Sequence, residues 1–148
     1  MSYRFPLQKV LDYKEKEKQQ AQQELGSSLQ KKQVVEQGIQ QLFEKREQVE
    51  DRLFAVNKGY KISELHQHHH YMNALNQQIM SMQGQLRRAQ KDVERKQSTL
   101  MEKARDEKVW QEWKIRLIEQ ERQEQQKKEQ EMLDEMASIR YFRQQGLI

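Results

Sequence analysis

The sequence predicts an all-α fold: a long antiparallel two-helix coiled-coil hairpin with an overhanging C-terminal helix. Three observations lead there. Hydrophobic residues make up only 34% of the chain, against about 45–50% in an ordinary globular domain, and the excess is Gln, Lys, Glu and Arg, all compatible with helix. Apolar residues recur at alternating steps of four and three over two long stretches. Proline occurs once, at Pro6, and glycine five times, so few residues interrupt a helix. Composition alone would also suit a disordered chain; the sustained period argues for coiled coil.

Helix one is expected over about residues 6–58. From Leu7 the seam runs through Leu11, Lys14, Lys18, Ala21, Leu25, Ser28, Lys32, Val35, Ile39, Leu42, Arg46, Val49, Leu53 and Val56. Ten of these fifteen positions are apolar and the register never slips, which is the signature of a heptad repeat. Pro6 suits the first helical position, where no N–H is needed and φ is preset. Gly26 and Gly38 weaken the helix by about 1 kcal/mol each relative to alanine.

A turn is expected at about 59–63. Asn57 and Gly59 suit the left-handed backbone that ends helices, and Ser63 can cap the next helix. Helix two follows over about 64–145, with Leu65, His68, Met72, Leu75, Ile79, Met82, Leu86, Ala89, Val93, Lys96 and Leu100 on its seam. Trp110 and Leu117 continue it, while Trp113 and Ile118 broaden the stripe. A short link makes the two helices antiparallel neighbours, so the chain reads as one coiled-coil domain, 1–148. Helix one is about 80 Å long at 1.5 Å per residue, and helix two folded back on it draws level with its start near Leu117.

Beyond about residue 118, helix two has no partner in the chain. "EQERQEQQKKEQE", Glu119–Glu131, holds no apolar side chain. It is either a solvated helical spacer supported by side-chain pairs or a frayed segment, since unsupported helices are marginal in water. Apolar residues then return as Met132, Met136, Ile139 and Phe142, flanked by Leu133 and Tyr141. Such an orphan stripe marks a binding surface or a site of self-association. At the other end of the seam, antiparallel pairing sets Lys14 and Lys18 near Trp110 and Glu107. Either cation–π and ion-pair contacts hold that end, or it stays loose until a partner covers Trp110 and Trp113.

The chemistry of the chain is that of a binding protein. A net charge of +4 comes from 27 basic and 23 acidic residues that interleave, unlike the clustered charge of nucleic-acid binders. No phosphate-binding loop is present, and no nucleophile–base arrangement can be built from four clustered histidines and no cysteine. No enzyme activity and no cofactor are expected. His66 and His70, spaced i, i+4, are the weak candidates for metal ligation; the competing reading is an exposed polar turn and a half. The N-terminus lacks a signal-like apolar run, and no stretch reaches the roughly 18 apolar residues of a membrane span, so a cytoplasmic protein is expected.

"YRFPLQKVLDYKEKEKQQAQQEL" and "LDEMASIRYFRQ", together with the cysteine-free hairpin turning near "KGYKISEL", resemble the FliJ family, a small component of the flagellar type III protein-export apparatus. The pattern of Phe5, Leu7, Gln8, Val10, Leu11, Lys14 and Glu15 carries most of the likeness. The resemblance implies a non-catalytic stalk like that of rotary ATPases, which binds the hexameric export ATPase and its regulator, the membrane export gate and export chaperones. It implies a protein monomeric when free and peripheral to the cytoplasmic face of the membrane at the flagellar base, helping to couple ATP hydrolysis to export and escorting chaperones. ATPase contacts are expected at Gln8, Leu11, Lys14, Trp110, Trp113, Leu133, Met136, Ile139, Arg140 and Phe142. Gate contacts are expected at Tyr71, Leu75, Gln78 and Met82; Leu75 and Met82 also lie on the seam, where a core role competes. A generic structural coiled-coil tether with an unrelated partner is the alternative.

Overall fold

The computed structural model describes residues 4–55, 59 and 61–146. Two helices account for nearly all of them: α1, Gln8–Ala55, and α2, Ile62–Gln144. They pack on each other as an antiparallel, all-α hairpin. The chain divides into two compact units, Met1–Lys18 with Lys103–Ile148, and Gln19–Glu102.

Gln19–Glu102 is held by the heptad seam. Ala21, Ser28, Ile39, Leu42 and Val49 of α1 are buried, as are Leu75, Ile79 and Val93 of α2. Leu25, Lys32, Val35, Arg46 and Leu53 are half-buried at the intervening steps. Every described residue of the α1 seam is thus withdrawn from water. A buried apolar cluster joins Leu42, Val49, Leu75 and Ile79, with Phe43, Leu53, Met72 and Met82 against them. Each such buried aliphatic side chain contributes about 1.5–3 kcal/mol. Polar pairs fix the antiparallel register: Lys96 Nζ reaches Glu24 Oε2 at 3.2 Å, Ser28 Oγ donates to Asp92 Oδ2 at 2.7 Å, and Arg46 Nη1 donates to Asn76 Oδ1 at 3.3 Å. Gly38 leaves room for the end of the Met82 side chain: a Cβ there would meet Met82 Cε, which would have to swing aside.

Both helix starts differ from expectation by a residue or two, and the reason is the same. The Gln8 N–H donates to the Phe5 carbonyl at 3.2 Å, and the Leu11 N–H to the Leu7 carbonyl at 3.1 Å. Leu7 therefore accepts the first helical bond, and Pro6 sits ahead of it in a turn. In α2 the Leu65 N–H donates to Lys61 at 3.1 Å, so Lys61, and not Ser63, holds the capping position. Backbone geometry at the entry, rather than side-chain preference, places these starts. Gly59 adopts φ 125°, which side chains resist; Asn57 and Val56 lie outside the described residues. Leu65 is exposed rather than packed on the seam.

Candidate partner-binding surfaces

Met1–Lys18 with Lys103–Ile148 is built differently from the heptad packing above. Its apolar anchors are Phe5 and Leu11, both buried. Phe5 meets Trp113 edge-on with ring centroids 6.0 Å apart, and Trp113 lies 5.3 Å from Trp110. Between these rings and the end of the unit, the seam is filled by charge. Lys14 Nζ lies 2.7 Å from Asp106 Oδ2, Lys103 Nζ donates to Glu17 Oε2 at 2.9 Å, and Lys18 Nζ stands 3.2 Å from Glu107 Oε2.

The hydrogen bonds of this layer stabilise the ionised forms. The Asp106 carboxylate raises the Lys14 ammonium above its ordinary 10.5, and Glu17 does the same for Lys103. Lys103 in turn lowers Glu17. Glu107 is only 6% exposed. Its Oε1 accepts from Gln111 Nε2 at 2.8 Å, but its Oε2 has the Lys18 ion pair without a well-aligned hydrogen bond. Lys18 pairs with Glu107 as the antiparallel register requires. Lys14 takes Asp106 rather than the Trp110 face, because a carboxylate within reach outbids a ring quadrupole for an ammonium.

Past Leu117 the environment changes. The α-helix continues without a break through Glu119–Glu131 to Gln144, so this stretch is a helix and not a frayed segment. Every residue from Arg122 to Gly146 is exposed. Local pairs such as Arg122 with Glu119 at 2.8 Å and Gln130 with Asp134 at 3.1 Å support it. Met132, Leu133, Met136, Ile139, Tyr141 and Phe142 all present large apolar area to water. Tyr141 and Phe142 pack edge to face at 5.9 Å, and Gly146, at φ 69°, closes the end.

The residues expected to meet partners thus separate into two groups. Leu133, Met136, Ile139, Arg140 and Phe142 are all exposed on the overhanging helix. Trp113 is 43% exposed beside the half-buried Trp110. Gln8 is half-buried and donates to Asp12 at 2.9 Å, and Lys14 is held by Asp106. Leu11, 2% exposed, belongs to the hairpin core. The second set, in Gln19–Glu102, divides the same way. Tyr71 and Gln78 are exposed, whereas Leu75 is 3% exposed and Met82 is half-buried against Gly38.

His66, His69 and His70 are exposed and His68 is half-buried. Among the described residues no group of three or more His, Asp or Glu could hold a metal ion. No helix among them is long and apolar enough to cross a membrane.

A protein-family model described as "Flagellar FliJ protein" matches residues 3–146. No curated protein and no solved structure matches the chain.

Proposed function

Because the chain belongs to the FliJ family of flagellar export components, we propose that it is a non-catalytic stalk that binds the hexameric export ATPase and helps couple ATP hydrolysis to export. The observation that supports this most is the bare apolar stripe of Met132, Met136, Ile139 and Phe142 on a helix that has outrun its partner. A folded chain gains nothing from leaving that surface in water, so its value lies in what covers it. Trp110 and Trp113 add rings of the type that dominate binding energy. Gln8 and Lys14 belong to the same unit, and Leu11 acts from beneath by holding α1 in place.

The same reading assigns Tyr71 and Gln78 to direct contact with the export gate, with Leu75 and Met82 as the packing that fixes their position. The ATPase's regulator and the export chaperones complete the partners, and the protein acts at the cytoplasmic face of the membrane at the flagellar base. Without partners it is a monomer.

Purified export ATPase tests the assignment. M136D/I139D/F142D should lower its affinity at least about a hundredfold, the scale of losing one or more hot-spot residues. E119A/Q123A/K127A, exposed positions of good helix propensity, should bind as the parent chain does. Equal binding by both variants would leave a structural tether as the better description. A tail that instead pairs copies of the chain would appear as a dimer that the aspartates dissolve.

A further inference from the structure

Gly26, Gly38 and Gly84 lie inside helices, where glycine weakens the backbone. Of the three only Gly38 has a neighbour where a Cβ would go, the end of the Met82 side chain, and only Gly84 stands beside cations unpaired among the described residues. A Cβ on Gly84 would meet nothing within 4 Å, so the fold itself does not call for a glycine there. On the same face, at i+3, i+4 and i+7, stand Arg87, Arg88 and Lys91, which line a shallow notch over Gly84. All three are exposed, and none makes a hydrogen bond or ion pair with a described residue.

The acids nearby are already engaged. Asp92 accepts from Ser28 at 2.7 Å and from Arg95 at 2.6 Å, and Glu94 accepts from Gln90 at 3.2 Å. Glu36 of α1 pairs with Lys32 at 3.7 Å. From Leu65 through Lys91, α2 contains no Asp or Glu. Three cations without an ion-pair partner among the described residues therefore surround a gap in the side-chain surface, and the Asp92 beside Arg88 and Lys91 is held by Ser28 and Arg95.

We propose that Gly84, Arg87, Arg88 and Lys91 form a docking surface for an acidic segment of a partner protein. The partner's backbone lies over Gly84, and its carboxylates pair with the two guanidiniums and the ammonium. A guanidinium fork matches a carboxylate in two parallel bonds, and a missing Cβ lets another backbone come close. An anionic membrane calls for about 4–8 unpaired basic residues, whereas Arg95, the next cation along, is already paired with Asp92, and a membrane would make no use of a notch. Duplex nucleic acid, with a charge every ~1.7 Å, calls for a longer unbroken basic track than this one, which Asp92 interrupts and in which Arg95 beyond it is tied to that carboxylate. The surface is separate from the C-terminal stripe and does not depend on its role.

Fluorescence anisotropy of a short labelled peptide of alternating glutamate and alanine, titrated with the full chain, tests this. Binding should weaken as salt rises, and R87Q/R88Q/K91Q should lose at least about tenfold in affinity, the scale of one charge-assisted hydrogen bond. G84L should melt no lower than the parent chain, since leucine favours helix and meets open space, yet bind the peptide several-fold less tightly. K31Q/K45Q/K127Q, with the same change in net charge at exposed positions elsewhere, should bind normally. Equal loss in that control would show bulk charge at work and overturn the proposal. So would undiminished binding by G84L, or binding to phosphatidylglycerol vesicles or polyphosphate with none to the peptide.

Discussion

Glu107 places a carboxylate where a heptad usually puts an aliphatic side chain, and it does so with one oxygen poorly satisfied. Only Lys18, itself partly in water, stands against that oxygen. Removing the lysine strands a buried acceptor, so K18A should destabilise the chain by about 1–3 kcal/mol. K18L/E107L replaces a buried ion pair with apolar packing and should be neutral or up to about 1–4 kcal/mol more stable. Denaturant unfolding of the parent chain and both variants decides the point; a double variant less stable than K18A would show that the site cannot accept apolar packing. The sequence made the Lys18–Glu107 pairing legible but not the burial. Lys103 and Glu107 occupy the three-and-four steps between Leu100 and Trp110, and a search for apolar residues passes over them. Phe5 was legible as part of a motif but not as core, because it precedes the helix and no helical period reaches it.

At the scale of the elements, the segment of α1 from Lys14 to Lys18 meets α2 through charge, and that gives this end its own response to pH. Lys14 and Lys103 are raised by their carboxylate partners. Their stabilisation is complete below the ordinary 10.5 and is lost as pH rises through the raised values. Glu17 is lowered by Lys103; its stabilisation is present above the ordinary 4.5 and is lost as pH falls through the lowered value. Both tryptophans of the chain, Trp110 and Trp113, sit in this unit, so their fluorescence reports its melting. The Trp-detected Tm should stay level between those limits and decline beyond each, and it should fall as salt screens these half-buried pairs. A Tm indifferent to both salt and alkaline pH would mean that Phe5 and Leu11 hold the end by themselves. Helix length was legible here because composition and the absence of breakers agree; the helix starts were not, because turn geometry at Pro6 and Lys61 decides them.

For the whole molecule, the hairpin was readable because its apolar period persists through the length of α1 and returns on α2 in complementary order. The binding surfaces were less readable for a physical reason: an apolar residue on a heptad position serves a core and an interface equally well. Leu11, Leu75 and Met82 look like contact residues in the sequence and lie in the packing of the fold, whereas Tyr71, Gln78 and the Met132–Phe142 stripe remain open to a partner. The central claim is that α2 from Glu119 onward serves binding and not folding. Hydrogen exchange of the free chain and of its complex with the export ATPase tests it most directly. In the free chain, amides of residues 119–144 should exchange far faster than those of 21–53 and 75–100, since a lone helix opens easily. Adding the ATPase should slow exchange in 132–142 above all. Protection of 119–144 in the free chain, or exchange there unchanged by the ATPase, would contradict the account.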